Sequence, residues 1–143
     1  MEEYEKLGWF YLGRPVDAAT MATASSPLLY DSRDLLTHAL IVGMTGSGKT
    51  GLGIGLLEEA ALDGVPAHVV DPKGDLANLL LTFPELRAED FRPWVRDEDA
   101  ARKGVSRDEL AAATAESWRA GLARWDQDGA RIRRLREAAE VAL

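Results

Sequence analysis

His38-Ala39-Leu40-Ile41-Val42-Gly43-Met44-Thr45-Gly46-Ser47-Gly48-Lys49-Thr50 is the stretch on which the fold turns. Five apolar or near-apolar residues run straight into a glycine, as in a buried parallel strand. The next eight residues, Gly43 to Thr50, match the pattern Gly-x-x-x-x-Gly-Lys-Thr. A polyphosphate places several negative charges on closely set oxygens, so gripping it takes many converging donors and little bulk. Glycines at 43, 46 and 48 let successive backbone N–H groups point inward as an anion nest, with Met44, Thr45 and Ser47 completing the curve. The loop opens into a helix, whose free N–H groups and partial positive charge favour the same anion. Lys49 is expected to reach the β- and γ-phosphates, and the Thr50 hydroxyl to ligate Mg2+. Gly51, the next residue, completes the expected contact set. The motif is therefore a P-loop, and its expected ligand is a nucleoside triphosphate with magnesium, foremost ATP.

Working outward, Leu52, Ile54, Leu56, Leu57, Ala60 and Ala61 fit a mostly buried helix ending near Asp63-Gly64. Gly51, Gly53 and Gly55 each cost that helix about 1 kcal/mol relative to alanine. Close packing on a sheet and on the phosphate loop is the expected compensation. Val65-Pro66-Ala67-His68-Val69-Val70 reads as a second strand, closed by Asp71-Pro72-Lys73-Gly74-Asp75. Strand, helix and strand with short connections make a βαβ unit, whose crossover is right-handed. Asp71 does not read as the Walker B magnesium ligand, because it follows the P-loop too closely and Pro72 succeeds it. A GTPase reading fails because no Asn-Lys-x-Asp occurs. Asp71 and Asp75 either cap a turn and the next helix, with Lys73 solvated, or face a phosphate, water or partner at the carboxyl end of the strand, where ligands gather in α/β sheets.

On the N-terminal side, Trp9-Phe10-Tyr11-Leu12 lies between glycines and reads as a strand, Leu28-Leu29-Tyr30 as a second short one, and residues 18–27 as a loop. On the C-terminal side, Asp75 is placed to cap a short helix through Leu81. Ser106 and Glu109 match a capping box. Behind them Leu110, Thr114, Trp118, Leu122 and Trp125 fall at helical spacing. Asp128-Gly129 separates these from a last helix carrying Ile132, Leu135 and Ala139. Trp118 and Trp125 read as packing residues rather than base-stacking ones. Arg131, Arg133, Arg134 and Arg136, with Glu137 and Glu140 close behind, read as a solvated face. His38 and His68 read as structural. Three segments result: residues 1–36, a β segment and loop; 37–86, the P-loop core; and 87–143, a helical insertion or extension.

The formal charge of −7 argues against a grip on nucleic acid through bulk surface charge. With no cysteine, disulfides, thiolate metal sites and a cysteine nucleophile are excluded. No apolar run approaches the ~20 residues of a membrane span. The Met1-Glu2-Glu3 start lacks the features of a secretory signal, so the expected location is cytoplasmic and no membrane partner is expected.

From His38 to Leu86 the sequence resembles the start of the HerA-type ATPases, in the superfamily of DNA-translocating motors that includes FtsK. The Gly43–Thr50 loop and Asp71-Pro72-Lys73-Gly74-Asp75 carry the resemblance. Phe10-Tyr11-Leu12-Gly13-Arg14 and Leu28-Leu29-Tyr30-Asp31-Ser32-Arg33-Asp34-Leu35 resemble the N-terminal part of large members. The resemblance implies an α/β, RecA-like parallel-sheet core, a hexameric ring with double-stranded DNA in its pore, ATP between subunits, and in some cases a nuclease partner. The family's Walker B strand and arginine finger have no match after Gly74. Val141-Ala142-Leu143 also reads as mid-helix. The expectation is an incomplete, N-terminal portion of a longer ATPase, weakly active alone, with Lys49 and Thr50 as its catalytic residues. The alternatives are a non-catalytic nucleotide-binding or assembly module, and a small-molecule P-loop kinase.

Overall fold

The computed structural model describes residues 6–142, so the Met1-Glu2-Glu3 start and Leu143 lie outside the described residues. It is a small α/β protein that divides into two compact units: the chain up to Leu81 together with the segment from Ala138, and Thr82–Glu137.

The first unit starts with a hairpin. β1 (Trp9–Gly13) pairs antiparallel with β2 (Leu28–Asp31), placing Phe10 opposite Tyr30 and Tyr11 opposite Leu29. Both strands fall where aromatic and apolar residues predict them. A bridge between Val16 and Thr23 extends the pairing, and Asp17 organises the loop. Its Oδ1 accepts from the Ala19 N–H at 3.0 Å, the Thr20 N–H at 2.7 Å and the Thr20 hydroxyl at 2.8 Å. These donors hold the Asp17 carboxyl below its ordinary range, the Thr20 N–H contributing most.

α1 (Lys49–Leu62) follows the glycine loop as expected and packs against β1, but it is not mostly buried: Leu52 is exposed and Glu59 is its buried residue. It ends where Gly64 turns left-handed at φ 72°. Gly64 N–H then bonds Ala61 C=O at 3.0 Å and Val65 N–H bonds Ala60 C=O at 2.8 Å, a Schellman closure. Two carboxylates, Glu59 in the last turn of α1 and Asp63 at its C-cap, reach β1 and the residue before it. Glu59 accepts the Tyr11 N–H and Asp63 the Gly8 N–H, both at 2.8 Å. Phe10, 3% exposed, and Glu59, 6% exposed, are the buried side chains of this unit among the described residues.

Two expectations fail here. Residues 38–42 and 65–70 form no strand. Leu40, Val42 and Val70 stand 86%, 75% and 90% exposed. A parallel strand is stabilised by neighbours on both edges and cover on both faces, and the described residues give these two segments neither. His68 therefore lies in exposed irregular chain, not mid-strand, and His38 is exposed as well. Nor does close packing explain the helix glycines: a Cβ added at Gly51, Gly53 or Gly55 would meet nothing within 4 Å.

The second unit is helical: α2 (Ala88–Phe91), α3 (Asp97–Lys103), α4 (Arg107–Ala123) and α5 (Gly129–Ala138). Leu86, Phe91 and Ala115 form its core, with Phe83, Leu122 and Ile132 packed on them. Phe83 meets Phe91 edge-on at 5.1 Å between centroids, and Trp118 stacks on Phe91 at 6.3 Å. Trp118 thus packs, as its spacing predicts, while keeping an exposed edge. The capping box forms in both directions: Glu109 N–H donates to Ser106 Oγ at 3.2 Å, and Ser106 N–H to Glu109 Oε2 at 2.7 Å. Trp125 does not continue the α4 face. The chain turns left-handed at Asp126, φ 56°, and the Gln127 N–H closes on Leu122 C=O at 3.0 Å. α5 stops at Ala138, so Ala139 and the Val141-Ala142 end are not helical.

Candidate functional site

The residues from Gly43 to Thr50 form a loop-to-helix turn, and its shape follows from its glycines. Gly46 (φ 81°) and Gly48 (φ 89°) occupy the left-handed region that L side chains avoid. Gly48 is the N-cap of α1, so the chain enters the helix through that conformation, with Lys49 and Thr50 as the first helical residues. Gly43 serves by closeness: a Cβ there would lie 2.5 Å from Ser47 Oγ. The Ser47 N–H donates to Met44 C=O at 3.2 Å, tying the curve across Thr45 and Gly46. Gly51 follows on the exposed side of the first turn.

Lys49 Nζ donates to Met44 C=O at 2.7 Å. Its ammonium therefore folds back over the loop and rests on a neutral acceptor. A phosphate oxygen is a stronger acceptor for a cation than a carbonyl.

A cavity of about 570 Å³ opens beside the loop. Small-molecule pockets run to ~300–1,000 Å³, so this one has room for a nucleotide. Lys49, Thr50, Gly53, Asp71, Lys73 and Asp75 line it, with Ile41 and Leu76 as apolar members. The structure thus brings Asp71 to the same cavity as Lys49 and Thr50, across a long stretch of sequence. Asp71 also does the capping that the sequence assigned to Asp75. Its Oδ2 accepts the Leu76 N–H at 2.7 Å, opening the 3₁₀ turn Leu76–Leu80, whereas Asp75 makes no side-chain cap. A carboxylate accepts about four hydrogen bonds, so this one leaves Oδ1 with spare capacity. Thr50 and Asp71 are hard oxygen donors of the kind magnesium takes one or two of, beside water and phosphate. Lys73, which reads as solvated in the sequence, is the lining residue that sequence reasoning missed. Its one signal is its place in a glycine turn at the end of an apolar run.

A hollow of about 400 Å³ lies in the second unit, lined by Arg87, Arg133 and Arg136 against Glu85, Asp90 and Glu137. Arg133 pairs with Glu85 and Arg87 with Asp90. The Arg87 guanidinium holds the Asp90 carboxyl below its ordinary range. Positive and negative side chains alternate there, so Arg133 and Arg136 form no free basic patch.

A family profile described as "Helicase HerA, central domain" matches residues 10–110. The chain belongs to the HerA helicase central-domain family. Membership puts it with the ATPase-type proteins of the HerA/FtsK group. The HerA match takes in the hairpin, the phosphate loop, the Asp71 turn and the start of α4. Neither the curated proteins nor the solved structures contain a significant match to the chain.

Proposed function

We propose that the chain is the ATP-binding module of a HerA-like, DNA-translocating or helicase-type ATPase. Gly43, Met44, Thr45, Gly46, Ser47, Gly48 and Gly51 would supply the backbone cradle, and Lys49 the cation for the β- and γ-phosphates. Thr50 would hold Mg2+, with Asp71 at the edge of the same cavity. Magnesium bound there would neutralise charge on the phosphate oxygens; the chain's own part is to bind and orient. One observation carries this reading. A loop with left-handed Gly46 and Gly48 opens into α1 beside a nucleotide-sized cavity that Lys49 and Thr50 line. The RecA-like parallel core, the hexameric ring, double-stranded DNA, a nuclease partner and a cytoplasmic setting belong to the same proposal. Among the described residues no helix is long and apolar enough to cross a membrane.

A second reading, a non-catalytic assembly module in which nucleotide orders the loop, draws support from the exposed apolar chain at Leu40, Val42 and Val70. Such surface is normally covered by a partner.

Calorimetry with Mg-ATP tests the binding claim. Heat is expected from the wild type and its loss from Lys49→Ala; equal heats from both proteins, or none from either, refute it. Turnover that rises with double-stranded DNA favours the motor. Binding without turnover favours the assembly module, and phosphate transfer to a metabolite would point to a kinase instead.

A further inference from the structure

Lys73 lines the same cavity as Lys49 and Thr50. The chain has four lysines, at 6, 49, 73 and 103, so half of them meet at one place in a protein of net charge −7. Asp71 and Asp75 line the same cavity, so its lining is neutral overall and opposes an anion less than the negative chain as a whole does.

The turn that carries Lys73 is fixed. Gly74 N–H donates to Asp71 C=O at 3.3 Å, Gly74 sits at φ 77°, and the Asp71 carboxylate holds the Leu76 N–H at 2.7 Å. Lys73 has a carboxylate two residues away on each side, at 71 and 75, yet it makes no ion pair among the described residues. Asp71 is bonded to its own turn instead. The ammonium is left on an ordered turn at a cavity wall, with its charge uncommitted.

We propose that Lys73 is a second cation for the terminal phosphate of the bound nucleotide, delivered by the turn that Asp71 locks. This deepens the phosphate-loop reading and rests on it. In a P-loop the lysine and the hydroxyl that follows it serve the β- and γ-phosphates and the metal, so they mark the terminal end of the polyphosphate. Lys73 shares their cavity. The terminal group carries the highest charge density, and a triphosphate has one more phosphate there than a diphosphate. Lys73 therefore makes the site prefer triphosphate over diphosphate. Asp71 is a positioning residue in this scheme.

The test is the ratio of Mg-ADP to Mg-ATP dissociation constants for the wild-type chain, Lys73→Ala and Lys73→Arg, by calorimetry. Lys73 is exposed, so its truncation leaves the core untouched. The expected result is a roughly tenfold loss of Mg-ATP affinity in Lys73→Ala, which is about 1.4 kcal/mol. Mg-ADP should move less than about twofold. Lys73→Arg should keep most of the preference, because it keeps the charge. An unchanged ratio in Lys73→Ala, whether both affinities fall or neither does, overturns the proposal while leaving the phosphate loop standing. Failure of the phosphate loop itself shows differently: the wild type and Lys49→Ala would then bind neither nucleotide.

Discussion

Alanine at Gly48 and alanine at Gly55 should act with opposite signs, although both residues belong to the same loop-helix element. Gly48 is the N-cap of α1 at φ 89°, ψ 10°. An L residue held in that left-handed region costs about 1–2 kcal/mol, so Gly48→Ala should lose that much. Gly55 lies inside α1 with no positive φ, and a Cβ there meets nothing within 4 Å. Its replacement should recover the ~1 kcal/mol by which glycine lags alanine in a helix. The two variants should therefore differ by about 2–3 kcal/mol. At ~4–8 °C per kcal/mol for a unit of this size, their melting temperatures should lie on the order of 10 °C apart, with the wild type between. Far-ultraviolet circular dichroism without nucleotide measures this directly. Mg-ATP calorimetry adds a second arm: Gly55→Ala should bind as the wild type does, while Gly48→Ala binds more weakly because the amides of the curve are redirected. A Gly48→Ala protein at least as stable as the wild type would refute the argument, since the left-handed entry to α1 would then not be part of the folded state.

Asp31 accepts from Arg33 through side chain and backbone, and its carboxyl is lowered to about 2, chiefly by the Arg33 side chain. A depressed folded value stabilises the protein above the unfolded value of ~3.9 and is lost as pH falls through the folded one, so hairpin stability should decline between about pH 4 and 2. In an NMR titration Arg33→Ala should return the midpoint toward ~3.9; a midpoint already there in the wild type contradicts the pairing. Ser106→Ala removes an N-cap oxygen from α4 and should cost about 1 kcal/mol by urea denaturation, a change below a few tenths counting against the capping box. Gly129→Ala would bring a Cβ to 2.0 Å from the Pro84 carbonyl oxygen, a backbone atom that cannot rotate away. It should cost about 1–3 kcal/mol, and a wild-type unfolding midpoint would show that the start of α5 lies elsewhere.

Features whose causes are local were legible in the sequence. The phosphate loop is one, because its glycines answer to backbone conformations within a few residues. The capping box at Ser106 is another, and so is the hairpin, whose aromatic run sits between Gly8 and Gly13. Features whose causes are distant were not. Residues 38–42 and 65–70 have strand composition, but strand formation depends on a neighbour to pair with. Two local features were missed as well. In one, the turn at Gly74, not the spacing, aimed the Asp71 carboxylate at Leu76 N–H. The other is Trp125, which kept helical spacing with Leu122 although α4 ends at Ala123 and the chain turns left-handed at Asp126. The arrival of Lys73 beside Lys49 is likewise invisible until the chain is folded.

Glu59 and Asp63 show how such a distant cause shapes the site. Both stand at the C-terminal end of α1, where the helix dipole disfavours a negative charge. Glu59 is nearly buried as well, which adds a cost in desolvation. The offset comes from Tyr11 in β1 and from Gly8 just before it, whose N–H groups donate to them across sequence separations of 48 and 55 residues. The Tyr11 donor would otherwise lie open on the edge of a two-stranded sheet, the kind of edge that invites wrong pairing. Each partner thus satisfies a group that would be unfavourable alone. α1 has 14 residues and spans about 20 Å, with the phosphate loop at one end and the hairpin clamp at the other. The hairpin therefore fixes the far end of the rod whose near end presents Lys49 and Thr50. The strand pair thereby helps set where the proposed phosphate cradle points.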